Sequence, residues 1–140
     1  MKVEDCIFYQ LAKVNQTAQR FWGQKISTYN VTSVQGMILN ALHDKDQITS
    51  RNLGERVQLD SATLTGVLDR LETLECIERQ PHPDDRRAIL VCLTKKGKGL
   101  TNDITRNGLE ANKEFLQGFS IEEEATFRSL IARVRGLQTD

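Results

Sequence analysis

The segment that most constrains this chain is residues 79–97, two short strand-forming stretches joined by the charged tip Asp84-Asp85-Arg86-Arg87. Residues 88–93, Ala-Ile-Leu-Val-Cys-Leu, are apolar and β-branched in part, as a packed strand requires. Immediately upstream, Leu64, Val67, Leu68, Leu71 and Leu74 recur at three- and four-residue steps, so a helix runs into this hairpin. A shorter helix precedes it across the turn Gln58-Leu59-Asp60. Two helices joined by a tight turn and followed at once by a hairpin make a winged helix-turn-helix, whose second helix suits a major groove. A narrow hairpin tipped with adjacent arginines suits a minor groove, which is about 6 Å wide and strongly negative.

The rest of the chain reads as helix. Ile7, Phe8, Leu11, Val14, Ala18, Phe21 and Trp22 predict one long amphipathic helix over residues 4–29. Thr32 or Ser33 caps a second helix with Val34, Met37, Ile38, Ala41 and Leu42 on its apolar face, and residues 43–46 read as a polar loop. Ile48 follows, then Thr49 and Ser50 as caps of the short third helix, with Leu53 and Val57 inward. Asp60 or Ser61 caps the fourth helix. Thr94 caps a fifth, with Leu100, Ile104, Ala111 and Phe115 on one face, although Gly97, Gly99 and Gly108 weaken the expectation of a straight helix. Ser120-Ile-Glu-Glu123 is a capping box opening a last helix with Phe127, Leu130, Ile131, Val134 and Leu137 inward. The expected fold is mainly α with a small β-wing, in the order α-α-(β)-α-α-β-β-α-α. It forms one domain over 1–140, with a DNA-binding lobe at about 33–97 and dimerisation helices at about 4–29 and 98–138.

With the leucine stripe turned inward, Ala62, Gly66, Asp69 and Thr73 point directly outward, flanked by Thr65 and Arg70. Small outward residues let a helix approach a groove closely. Ser61, Thr63 and Thr65 offer hydroxyls to phosphates near the helix N-terminus, where the dipole favours anions, and Arg70 reaches a phosphate or a guanine edge. The formal net charge is zero, from 19 basic and 19 acidic residues, so any positive field must be laid out locally. The same zero is the one mild support for a different class, a winged-helix protein-interaction module without DNA binding. No apolar run approaches the roughly 18 residues of a membrane span, and no signal peptide is evident. Three dispersed cysteines, Cys6, Cys76 and Cys92, fit free thiols in a cytoplasmic protein. His43 and His82 stand alone, neither in a ligand cluster, so no metal or cofactor is expected. No triad order, paired-carboxylate motif or phosphate loop is present, which argues against an enzyme.

The run from Leu59 to Glu72 (Leu-Asp-Ser-Ala-Thr-Leu-Thr-Gly-Val-Leu-Asp-Arg-Leu-Glu), followed by Ile77-Glu-Arg79, Pro83-Asp-Asp-Arg-Arg-Ala88 and Val91-Cys-Leu-Thr-Lys-Lys-Gly97, closely resembles the multiple-antibiotic-resistance regulator (MarR) family. The resemblance covers nearly the whole chain, the first and last helices by length and pattern only. It implies a homodimeric regulator of transcription, usually a repressor, that binds palindromic double-stranded DNA. It also implies release by a small phenolic or aromatic ligand or by cysteine oxidation. It makes the helix from Ser61 to Thr73 the recognition helix, Arg87 the minor-groove arginine with Arg86 the second candidate, and Asp85 the wing carboxylate that steadies an arginine, with Asp69 another possible partner. A simple turn residue is the alternative reading of Asp85.

Dimerisation has separate support in the long apolar faces of the terminal helices, more surface than one small lobe can cover. Pairing them across a two-fold axis sets two recognition helices about one DNA turn apart. An intramolecular bundle is the alternative. A ligand crevice is expected between the dimer helices and the DNA-binding lobe, with Phe21, Trp22 and Met37 able to line it or simply to pack in the core. Cys6 falls where the hydroperoxide-sensing branch of the family carries its reactive cysteine, but Tyr9 follows at three residues and Gln10 one turn on, a departure from that pattern. Its other reading is a small apolar residue near the dimer interface. Cys76 and Cys92 read as packing residues.

Overall fold

The computed structural model describes residues 1–136. Its order is α1 (Ile7–Ile26), α2 (Ser33–Asp44), β1 (Ile48–Thr49), α3 (Ser50–Val57), α4 (Ser61–Thr73), β2 (Ile77–Pro81), β3 (Ile89–Leu93), α5 (Lys95–Phe115) and α6 (Ile121–Val134), with single 3-10 turns at Val3–Asp5 and Ser27–Tyr29 flanking α1. This is the mainly helical, winged order that the residue pattern predicts. The chain divides into two units, Met1–Gly108 and Leu109–Asp140.

In the first unit, helix starts follow the capping chemistry. Thr32 accepts from the Gln35 amide at 3.2 Å while the Gln35 side chain accepts from the Thr32 amide at 2.8 Å. Thr49 accepts from the Asn52 amide at 3.2 Å, and Asp60 from the Thr63 amide at 2.8 Å. Each bond satisfies a backbone donor that the first helical turn leaves without a partner. The sheet is antiparallel, in the order β1-β3-β2, with Ile77 opposite Leu93, Arg79 opposite Val91, and Ile48 opposite Val91 on the other side. Ile26, Ile38, Leu39, Leu42, Leu53, Leu68, Leu71, Ile77, Val91 and Ile104 form the core, drawn from every major element of this unit. The first half of α5 is tied to α2 by Thr105 donating to Asn40 Oδ1 at 3.0 Å and by a 3.0 Å contact between His43 Nε2 and Asn102 Oδ1. It is tied to α1 by Asn107 donating to the Lys25 carbonyl at 3.1 Å.

α4 ends in a hydrogen-bonded knot. Glu75 adopts a left-handed φ of 58°, Cys76 N donates to Leu71 O and Glu75 N donates to Glu72 O, both at 2.9 Å. That is the Schellman arrangement. The freed carbonyls are then met by the start of α5. Lys96 Nζ donates to Leu74 O at 2.7 Å, Thr94 Oγ1 to Glu75 O at 2.6 Å, and Thr94 N to Cys76 O at 3.1 Å. Thr94 also caps α5, accepting from Gly97 N at 3.0 Å. The approach is so close that a Cβ on Gly97 would lie 1.8 Å from Cys76 O.

Several expectations need correction. α2 runs through His43 and Asp44, so the loop begins later, at Lys45; Asp44 is there paired with Arg56 of α3. Helical structure over 4–29 is interrupted at Cys6 and at Ile26, where it tightens into 3-10 turns. β2 begins two residues before Arg79, and β3 begins at Ile89 because the Ala88 amide closes the hairpin tip onto Asp85 O at 3.1 Å. Leu74 is exposed, since it is the C-cap beyond the last full turn of α4, and Val67 is only partly buried. α5 is continuous despite its glycines, but Phe115 on it is exposed. In the second unit, Ser120 and Glu123 form the expected capping box, and Phe119 meets the Phe127 ring edge-on at 5.4 Å. Leu130, Ile131 and Val134 are exposed rather than inward, and Leu137 lies outside the described residues.

Gly97→Ala is expected to cost about 3 kcal/mol in chemical denaturation, because the clash is with backbone that cannot swing away. Glu75→Gly is expected to act the other way, stabilising by about 1 kcal/mol, since glycine adopts the left-handed conformation without steric cost. A stable Gly97→Ala protein would mean that α5 does not start against Cys76.

Candidate nucleic-acid interface

α3 and α4 meet across Gln58, Leu59 and Asp60. Gln58 takes a left-handed φ of 55°, and the Leu59 amide donates back to Gly54 O at 3.2 Å, which turns the chain within three residues. Leu64, Leu68 and Leu71 anchor the inner face of α4 in the core. Ala62, Gly66, Asp69 and Thr73 are all exposed on the other side, with Ser61, Thr63, Thr65 and Arg70 beside them. A Cβ added at Gly66 would meet nothing within 4 Å, so this face is open.

The hydroxyls on this helix differ in what they can offer. Thr63 Oγ1 donates to Asp60 Oδ2 at 2.8 Å, Thr65 Oγ1 to Ser61 O at 2.8 Å, and Thr73 Oγ1 to Asp69 O at 3.0 Å. Their protons are committed within the chain, which leaves these hydroxyl oxygens as acceptors. Ser61, the first residue of α4, sits where the helix amides point outward. The Thr63 amide, and then the Thr63 hydroxyl, hold the Asp60 carboxyl below its ordinary value.

Asp69 is not free to read a base. Arg79 of β2 reaches across and donates to Asp69 Oδ1 at 2.7 Å, to Glu72 Oε2 at 3.3 Å and to Thr65 O at 3.4 Å. One strand cation thus neutralises two carboxylates of α4 and grips its backbone. Sequence reasoning quoted Arg79 only as part of a motif. The available signal was the pair Asp69 and Glu72, three apart on one helix face, next to a strand cation.

In the wing, Asp85 Oδ1 accepts from the Arg87 amide at 2.9 Å, so the carboxylate steadies the arginine through its backbone. Arg70, Arg86 and Arg87 are exposed and form no ion pair among the described residues. A cleft of about 250 Å³ lies between the start of α2 and α4, lined by Thr32, Gln35, Ala62, Thr63, Gly66, Val67 and Arg70. A larger one of about 530 Å³ runs between α3 and α4, past Arg51, Gln58, Ser61 and Thr65. Phe21, Trp22 and Met37 line neither. Trp22 packs on the core beside Gly36 and Gly108, Phe21 lies under the Lys25 ammonium at 5.2 Å, and Met37 is exposed.

Cys6 is partly exposed at the N-cap of α1 and makes no side-chain cap bond there, while the Tyr9 ring lies under Lys13 Nζ at 5.4 Å. Burial pushes the Cys76 and Cys92 thiols up, aided at Cys92 by the charges of Asp46 and Glu78. A raised thiol pKa favours the protonated form over the reactive thiolate. No group of three or more metal-ligating side chains occurs among the described residues, and no described helix is long and apolar enough to cross a membrane.

A helix-turn-helix with an open second helix and an arginine-tipped hairpin defines a winged-helix regulator of transcription. Residues 31–89 match the model of the MarR family. The multiple antibiotic resistance protein MarR of Salmonella typhimurium is 30% identical over 122 residues, 86% of this chain and 85% of that protein. The PcaV transcriptional regulator of Streptomyces coelicolor, solved in complex with its natural ligand, superposes with a TM-score of 0.89 at 28% identity, covering 97% of this chain and 96% of that one. A variant of E. coli MarR complexed with operator DNA superposes with a TM-score of 0.83 at 28% identity, covering 89% and 90% of the two chains. The chain belongs to the MarR family of transcriptional regulators, which are not enzymes.

The depressed Asp60 carboxyl gives a pH signature. A carboxylate whose native pKa lies below its unfolded value adds stability above the unfolded value of about 4, and loses it as pH falls through the native one. Asp60→Asn keeps a capping oxygen that does not titrate. The stability gap between wild type and Asp60→Asn, measured by denaturant titration, is expected to be flat near neutrality and to shrink below about pH 4.

Proposed function

We propose that this regulator is a homodimeric repressor of a palindromic operator, with α4 in the major groove, Arg87 and secondarily Arg86 in the minor groove, and release by a small aromatic ligand. The observation that carries the reading is the sorting of charge on one face. Asp69 and Glu72 are taken up by Arg79, whereas Arg70, Arg86 and Arg87 remain exposed and unpaired among the described residues. That leaves a local positive footprint on a chain of zero net charge. The similarity to a MarR protein complexed with operator DNA and to a regulator complexed with its ligand supports the same reading. Asp69 acts here as the partner of Arg79, with Ser61, Thr63, Thr65, Gly66, Arg70 and Thr73 facing DNA.

The dimer reading rests on apolar surface in each unit. Phe8 is 78% exposed, with Ile7, Leu11 and Val14 exposed on the same helix; Val134 is 70% exposed, with Leu130 and Ile131 exposed near it on α6. Faces of this size on helices of a globular protein mark an interface, and a second copy is the partner with matching chemistry.

In a gel shift with DNA from upstream of the protein's own gene, nanomolar-range binding that weakens steeply with salt is expected. Arg87→Ala is expected to cost about 1–3 kcal/mol of operator affinity with an unchanged circular dichroism spectrum, and Arg86→Ala less. Absence of any binding would favour the protein-interaction module. In sedimentation, the wild type is expected to be dimeric at micromolar concentration and Phe8→Glu shifted towards monomer. A wild-type monomer overturns the assembly.

A further inference from the structure

The wing tip carries a contact that the reading above does not use. His82 Nδ1 lies 3.1 Å from the Asp84 amide and 3.1 Å from the Asp85 amide. Backbone amides can only donate, so Nδ1 must present its lone pair, and the ring is neutral with its proton on Nε2. The ring therefore ties the entry of the tip to its own start. The Asp85 carboxylate, held at that point, accepts from the Arg87 amide at 2.9 Å, and the His82 amide donates to Ala88 O at 3.2 Å to close the loop. Pro83 between them has no amide to offer.

We propose that His82 is a positioning residue for DNA recognition: its Nδ1 lone pair, through the Asp84 and Asp85 amides and the Asp85 carboxylate, aims Arg87 and Arg86. This rests on the reading that the wing arginines touch DNA. Because those arginines have no ion partner among the described residues, the backbone of the tip sets the point and direction from which they reach. A seven-residue tip without internal bonds spreads its arginines over many directions, and a groove pays back only one of them. The order of the bonds matters. His82 fixes residues 84 and 85, and only then is the Asp85 carboxylate placed to receive Arg87.

The test compares His82→Ala, His82→Asn, Arg87→Ala and the double variant His82→Ala/Arg87→Ala in operator binding, with ¹⁵N spectra of the free protein. Loss of two hydrogen bonds at the tip is expected to weaken His82→Ala about tenfold. His82→Asn, whose Oδ1 is an acceptor of similar reach, is expected to stay within about threefold of wild type. The double variant is expected to lose less than the sum of the two single losses, because His82 acts through Arg87 and, in its absence, only through Arg86. In the free protein, ring ¹⁵N shifts are expected to show the Nε2–H tautomer, and the Asp84 and Asp85 amide protons to move upfield in His82→Ala. Wild-type affinity in His82→Ala beside a weakened Arg87→Ala overturns this proposal and leaves the wing reading standing. Wild-type affinity in both overturns the wing reading and this proposal with it. An additive loss in the double variant, an Nδ1–H tautomer, or unmoved amides also overturns it.

Discussion

The structure turns on the splice between the end of α4 and the start of α5. A helix leaves its last carbonyls without partners, and a buried helix end must find donors for them. Here Lys96, the Thr94 hydroxyl and the Thr94 amide serve Leu74, Glu75 and Cys76 in turn. The hairpin of β2 and β3 departs after Cys76 and returns before Thr94, so the splice pins both its feet. The Ile77–Leu93 pairing continues directly from that pin. The wing is thus a loop closed at its base by hydrogen bonds and projecting at its tip, a geometry that holds two arginines away from the core. Gly97 is required because the closure leaves no room for a Cβ against Cys76 O.

Charge follows from the same arrangement. β2 lies beside α4 because its foot is fixed there, and Arg79 is the residue that faces the helix. Its bonds to Asp69, Glu72 and Thr65 O neutralise the acids nearest the outward face. Without Arg79, two carboxylates on the exposed side of α4 would be left without a partner cation. Exposed ion pairs contribute little to stability on their own, about 0–1 kcal/mol. The larger consequence is electrostatic: the α4 carboxylates Asp69 and Glu72 are paired, while Arg70, Arg86 and Arg87 are exposed without an ion partner among the described residues.

Most of the fold was legible because its signals are local. The leucine stripe of α4, the caps at Thr32, Thr49, Asp60 and Ser120, and the apolar run of β3 each lie within one element and follow its period or its end. What escaped depends on residues far apart. The Asp46 carboxylate accepts from the Leu93 amide at 2.9 Å across 47 positions, and nothing local announces it. The threonine hydroxyls of α4 looked like phosphate donors because residue type was visible and hydrogen-bond direction was not. Periodicity gives α1 and α6 apolar faces, that of α6 read as inward. Leu130, Ile131 and Phe8 are exposed, since periodicity tells that a face is apolar and not whether it packs within the chain.

The splice also limits how such a protein can respond. α4 is restrained from changing its tilt alone, because the carbonyls of Leu74, Glu75 and Cys76 that follow it are bonded to Thr94 and Lys96 at the start of α5, and its flank is bonded to β2 through Arg79. The first half of α5 is in turn bonded to α1 at Lys25 and to α2 at Asn40. Packed interiors move between discrete arrangements and do not deform smoothly. Helix, wing and the first half of α5 therefore travel together. A ligand that favours one placement of this lobe over another shifts binding by its difference in affinity for the two placements, however tightly it binds. On the proposed reading, selectivity for DNA would reside in the face of α4 and its wing, and switching in where that face is carried.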